Sequence, residues 1–348
     1  MIKLDKSYVR GVQAATSPAQ LHYYLQKAVE LEHSTIPPYL TALFSLKPGF
    51  NVEIGQLIQS IVRQEMLHMT ISANILIAIG GHPQINTHCF IPSYPGNLPM
   101  QIGGADFIVG IEAFSKPLVE NIFMMIEEPE DPIPVRRLLE AEEEPEYATI
   151  GQFYEALKLK ICELGDGIFT VGKERQVLSW FPPDQLFPVI DVKSAQSAID
   201  IIVIQGEGTR TKPFESPGDP AHYYKFAEIA AGRQLIALPE GGYAYAGEPI
   251  PFDPKGVYPL RANCKIADFE PGTQARTRIE QFAYSYSSLL NALHNCFNGN
   301  PGNIDTAIGL MYSLKIEAVA LMQTMDPNGG VLTVGPSYEY TNTQGGIG

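Results

Sequence analysis

Apolar positions recur along this chain far more often with the period of a helix than with that of a strand. The stripe Leu21, Leu25, Ala28, Glu32, Ile36, Tyr39 and Leu43 follows one helix face, and Glu32 is its one acid. Ser17-Pro18-Ala19-Gln20 reads as the start: serine at the N-cap, proline at the first helical position, and glutamine completing a capping box. Pro37 and Pro38 fall inside this helix. Each lacks an N–H and frees the carbonyl four residues back, so a kink is expected beside Glu32. A second helix is predicted over about 52–79, with Ile54, Ile58, Ile61, Glu65, His68, Ser72 and Ile79 on one face. Gly80-Gly81-His82-Pro83 is its stop signal.

Residues from about 84 to 110 are rich in Pro, Gly and Asn and read as a long crossover, followed by a helix near 111–128. The run EEPEDPIPVRRLLEAEEEPE comes next, its glutamates read as a solvated charge run. A third bundle helix is expected over 149–164, a fourth over 194–207, and a short helix carrying His222 from about Asp219-Pro220. Residues 233–272 offer only short strands. Helical patterns at 273–297 and 303–326 then form a pair across Asn298-Gly299-Asn300-Pro301-Gly302. The class is all-α. Residues 1–240 form a helical bundle with an insertion at about 84–146, and 241–348 an irregular segment plus a C-terminal helix pair packed on it.

Composition narrows the partners. Apolar residues make up 45% and charged residues 18%, which suits a folded chain rather than a disordered one. A net charge of −14 argues against nucleic acid, whose phosphates reward Lys and Arg, and against an anionic membrane surface. No apolar run reaches the roughly 20 residues of a membrane span, and the N-terminus lacks a signal-peptide core. Cys89, Cys162, Cys264 and Cys296 form no C-x-x-C pair and read as free thiols, so a cytoplasmic location is expected.

The candidate chemistry lies on the two long helices. In Glu32-x6-Tyr39 the two residues share one face, and in Glu65-x-x-His68 they sit one turn apart. Buried carboxylates are costly unless paired, and inward carboxylates plus imidazole on a helix bundle are the ligand set of a carboxylate-bridged dimetal centre. Glu30 and His33 also make an E-x-x-H, but Glu30 aligns with the polar Gln26, Lys27 and Ser34, so Glu32 is preferred. A second half-site needs further ligands. Glu155 is the third-helix candidate, with Glu163 and Gln152 as substitutes, and Glu207 and His222 are the natural pair after it. Tyr39 is the candidate catalytic residue, lining the metal site or donating to a ligand carboxylate, against a plain core tyrosine. His22, His82, His88 and His294 read as structural or exposed.

The stretches LEHSTIPPYLTALFSL, RQEMLHMTISANILIAIGGHP, TIGQFYEAL and QGEGT…HYYKF resemble the ferritin-like superfamily, in particular the ferritin-like domain of iminophenyl-pyruvate dimer synthases. The likeness covers roughly residues 15–240. It implies a ferritin-like four-helix bundle, a metal site at Glu32, Glu65, His68, Glu207 and His222, with Glu155 less secure, and an oxidative role. The fourth-helix E-x-x-H of ferritins is absent here, replaced by Glu207 and a distant His222. The expected cofactor is two iron ions, with manganese or zinc as alternatives. The expected activity is that of a di-iron oxidoreductase on a small organic substrate, in its specific form an oxidative coupling of amino-acid-derived imines. The competing expectation is metal binding or iron handling without an organic substrate. Expected partners are a small-molecule substrate and further copies of the chain in a homo-oligomer, with neither nucleic acid nor membrane.

Overall fold

The computed structural model describes residues 4–129, 148–208, 212–239 and 241–341. Its architecture is set by two long helices that neighbours bury on nearly every side. Helix α1 (Lys6–Ala14) leads into α2 (Pro18–Ser45), which pairs with α3 (Val52–Ala78). Every residue of α2 from Leu31 to Ala42, and of α3 from Leu67 to Ala78, is buried. A helix without a solvent stripe belongs at the centre of its domain.

Local sequence explains how α2 and α3 begin and end, with one adjustment. Pro18 occupies the first turn of α2, but Ser17 makes no side-chain cap. Gln20 instead accepts from the Thr16 backbone N–H at 2.7 Å, so the expected capping box is displaced by one residue. The helix runs on through Pro37 and Pro38. Pro38 cannot bond the Ser34 carbonyl, and the Tyr94 hydroxyl from the crossover donates to that oxygen at 2.6 Å. At the far end of α3, Gly80 at φ +87° lets its own N–H reach Ile77 O and the Gly81 N–H reach Leu76 O. This pair of bonds is a Schellman stop, which requires the left-handed residue.

The region expected as one helix near 111–128 is extended to Ser115 and helical only beyond it. It comprises α4 (Lys116–Leu118), a π-helical turn (Val119–Phe123) and α5 (Met124–Ile126). The acidic run over 130–147 lies outside the described residues. Helix α6 (Ile150–Leu164) starts with a capping box between Thr149 and Gln152, and α7 (Val192–Glu207) with one between Asp191 and Ser194. These two pack on each other, and α7 also packs on α3.

A short antiparallel hairpin, β1 (Phe214–Ser216) with β2 (Asp219–Pro220), leads to α8 (His222–Ala231). Asp219-Pro220 is therefore strand rather than helix start. Helix α8 packs on α3, α7 and the π turn. A second hairpin, β3 (Arg233–Ala237) with β4 (Tyr243–Pro249), pairs Leu235 with Tyr245 and Ala237 with Tyr243. The sheets are small, and the fold is all-α in class. Helices α9 (Gln274–Phe297) and α10 (Ile304–Met322) pack on each other and against α3 and α2 respectively. Leu21, Ile58, Phe153, Ile279 and Leu321 belong to one apolar core, so the C-terminal pair shares the core of the bundle. Among the described residues no helix is long and apolar enough to cross a membrane.

Candidate metal centre

Among the described residues, two groups of side chains able to hold a metal ion meet inside the bundle. The first joins Glu32 of α2 to Glu65 and His68 of α3; the second joins Glu65, Glu127 and His222. Within each group, one ligand atom per residue lies within 4.8 Å of the others. Glu65 belongs to both. The histidines face each other across it, their rings 5.4 Å apart. His68 Nδ1 stands 3.4 Å from Glu32 Oε2, and His222 Nδ1 stands 2.9 Å from Glu65 Oε1 and 3.4 Å from Glu127 Oε2.

Hydroxyls hold the remaining carboxylate oxygens. Thr35 donates to Glu65 Oε2 at 2.7 Å, Tyr39 to Glu127 Oε1 at 2.6 Å, and Tyr154 to Glu32 Oε1. Burial, with Glu127 and Glu65 nearby, pushes the Tyr39 phenol well above its ordinary pKa, so Tyr39 stays a donor.

A second layer turns both imidazoles the same way. His68 Nε2 is 2.9 Å from Gln205 Oε1, and His222 Nε2 is 3.1 Å from Gln64 Oε1. The Gln64 amide is oriented by charge. Its oxygen also takes a bond from Lys225 Nζ at 3.1 Å, and its nitrogen donates to both Glu215 oxygens at 2.9 and 2.8 Å. Lys225 is buried and paired with Glu215 at 2.8 Å and Asp219 at 3.0 Å. With an amide oxygen opposite, Nε2 carries a proton in each ring, which leaves Nδ1 as the atom turned to the carboxylates. Orientation of this kind precedes any metal.

The electrostatics of the cluster ask for cations. The described residues lining the cavity include Glu32, Glu65, Glu127, Glu128 and Glu207, and no Lys or Arg. Burial, then the neighbouring Glu127 carboxylate, raises the Glu65 pKa to about 7. Burial pulls His222 down, but Glu127 and Glu65 outweigh it and raise it to about 9. His222 Nδ1 lies close to Glu65 yet lacks the alignment of a hydrogen bond. Carboxylates and imidazoles crowded so closely, and holding protons only through raised pKa values, are what divalent ions would satisfy by displacing those protons, and oxygen plus imidazole donors suit iron, manganese or zinc. The donor set fits a pair of such ions.

The expected residues divide. Glu32, Glu65, His68 and His222 lie in the two groups, and Tyr39 touches them through Glu127. Glu207 lines the cavity outside both groups, its carboxylate taking the Gly151 N–H at 2.8 Å at the start of α6. A Cβ at position 151 would stand 2.7 Å from Glu207 Oε2, so glycine permits this approach. Glu155 is exposed, which corrects its assignment. One residue is about 100° of helix rotation, and it is Tyr154 that turns inward to Glu32. The acid from outside α2 and α3 is Glu127, which had been read as part of the solvated charge run. The signal for it was the apolar run Ile122–Ile126 immediately before it. Tyr154 was also missed; its signal was its place beside Phe153, Leu157 and Ile161 on the apolar face of the helix.

Fold and site together define a ferritin-like protein. The Ferritin-like family matches residues 25–231, more than half of the chain, and the chain belongs to that family. It is 25% identical over 320 residues to dichlorochromopyrrolate synthase of Lentzea aerocolonigenes, an alignment covering 80% of this chain and 29% of that protein. The chain thus spans less than a third of the length of this relative. The crystal structure of a ferritin-like protein from Caulobacter vibrioides superposes with a TM-score of 0.62 at 24% identity, covering 91% of this chain and 97% of that one. This second likeness speaks for the fold.

Proposed function

We propose that the chain is a non-haem di-iron oxidoreductase acting on a small organic substrate. The observation that carries this reading is Glu65, one carboxylate common to two ligand groups that each add a histidine and a further carboxylate. Glu32 and His68 would hold one ion, Glu127 and His222 the other, and Glu65 would bridge them. Such a pair, once bound, supplies two-electron redox chemistry with O2. The protein does the remaining work. Gln64 and Gln205 keep both Nδ1 atoms aimed inward. Tyr39 and Tyr154 keep their protons and donate them as hydrogen bonds to Glu127 and Glu32. Leu31, Ile126, Ile150, Ile202 and Val203 line the same cavity and favour an apolar substrate over bulk water.

The similarity to dichlorochromopyrrolate synthase, with the resemblance to iminophenyl-pyruvate dimer synthases, favours oxidative coupling of an amino-acid-derived imine as the specific reaction. Manganese or zinc could occupy the same donors. The alternative, iron handling without an organic substrate, is supported by the ligand set alone.

Anaerobic ferrous titration, with bound iron counted and the optical spectrum followed after adding O2, tests the proposal. About two irons per chain and an oxo-bridge absorption are expected, with turnover on imine substrates separating the enzyme from the iron-handling protein. One iron or none per chain overturns the dinuclear reading.

A further inference from the structure

Glu32 and His33 are adjacent on α2 but serve different spaces. His33 lines a cavity between the α2–α3 pair and the C-terminal pair α9–α10, sharing no lining residue with the carboxylate site. Ile36, Met66, Met69, Leu290, Ala307 and Met311 wall it. The polar exceptions matter more than the walls. His33 Nε2 is 2.7 Å from the Tyr286 hydroxyl, while His33 Nδ1 is buried without a hydrogen-bond partner. Phe90 covers the ring at 4.5 Å.

The cavity also carries the one tryptophan of the chain, Trp180. Its φ of +82° is a left-handed conformation that a bulky residue adopts only when its surroundings enforce it. Its ring packs edge-on against Phe181, another wall residue.

We propose that this cavity binds a small, neutral, mostly apolar molecule bearing one hydroxyl, whose oxygen pairs with His33 Nδ1. Charge excludes ions: the described lining has neither Lys, Arg, Asp nor Glu, and an ionised ligand would be buried uncompensated. A hydroxyl both donates and accepts, so it satisfies Nδ1 whichever ring nitrogen holds the proton. An unfunctionalised hydrocarbon would fill the walls and leave Nδ1 orphaned. Water would satisfy Nδ1 but find few polar partners elsewhere. The inference stands apart from the metal reading, since no ligand residue lines this space.

The test uses phenol and toluene, near-isosteric probes differing in the hydroxyl, with the full-length chain. Trp180 emission is excited at the red edge, where neither tyrosine nor phenol absorbs. Saturable binding of phenol at least as tight as that of toluene is expected. In the double variant His33→Phe/Tyr286→Phe, which replaces both polar partners by apolar rings, the phenol-to-toluene affinity ratio should fall by about tenfold. Ala307→Phe, which fills the cavity, should abolish binding of both probes while leaving the fold intact by circular dichroism. Absence of saturable binding, tighter binding of toluene than phenol to the native chain, or an unchanged ratio in the double variant overturns the proposal.

Discussion

The two halves of the candidate centre are built by different means. Glu32 and His68 stand on long buried helices, and the backing of His68 is a glutamine, Gln205. Glu127 follows a helical segment broken by a π turn, and His222 opens a ten-residue helix after a hairpin. The second half compensates with charge. Gln64, Glu215, Asp219 and the buried Lys225 form an ionic clamp behind His222. Where long helices supply rigidity, a neutral amide suffices to aim an imidazole; where short elements supply the ligand, an ion network takes over. The hairpin between Glu207 and His222 thus has a task, since it carries both acids of the clamp.

Breaking the shared element should have the largest effect. Glu65→Ala removes a ligand from both groups, and bound iron should fall from about two per chain to none in anaerobic titration. His222→Ala and His68→Ala should each leave about one iron. If either empties both positions, the halves are not separable. Lys225→Met should weaken metal at the His222 half by about 10–100-fold while sparing the His68 half. It should also lower the unfolding free energy of the metal-free chain by about 1–3 kcal/mol, because the largely covered Glu215 loses its cation and keeps the Gln64 amide. Order of the His222 ring, read from imidazole 15N shifts, should separate aiming from stability: Lys225→Arg restores it and Lys225→Met does not.

A smaller effect comes from pH. Glu65, raised to about 7, and His222, raised to about 9, hold protons in the metal-free fold that the unfolded chain releases earlier. Their stabilising contributions are complete below their unfolded pKa values and are lost as pH rises through about 7 and about 9. His33, lowered to about 3, works in the opposite direction, but only below its unfolded value of 6.5. The melting temperature of the metal-free chain should therefore fall between about pH 6.5 and 9, and iron loading should flatten that slope. Glu155→Gln should change neither iron count nor melting temperature, in keeping with its exposure.

How far the sequence reaches follows from the same contrast. The fold class was legible because periodicity, Gly80-Gly81 and the proline starts are local signals that agree with one another. Glu32, Glu65 and His68 were visible for the same reason: an acid on an apolar stripe is conspicuous. Glu127 was hidden because its neighbours in sequence are acidic and its packing partners, Tyr39 and His222, are distant. Glu155 was misread because residue type was weighed above position: the buried stripe of its helix runs through Phe153, Tyr154, Leu157 and Ile161, and Glu155 stands beside it. The clamp could not be read at all. Gln64 and Lys225 acquire meaning only when the chain brings α3, the hairpin and α8 together.

The bond from Tyr94 to the Ser34 carbonyl has a consequence for transplanting this crossover onto other scaffolds. Because Pro38 leaves that carbonyl open, a loop residue has become part of the main-chain bonding of the helix that carries Glu32. Exchanging the crossover for a shorter linker would alter more than a surface connection. It would return a buried, unbonded carbonyl to α2 two residues from its ligand, so Tyr94 has to travel with any graft.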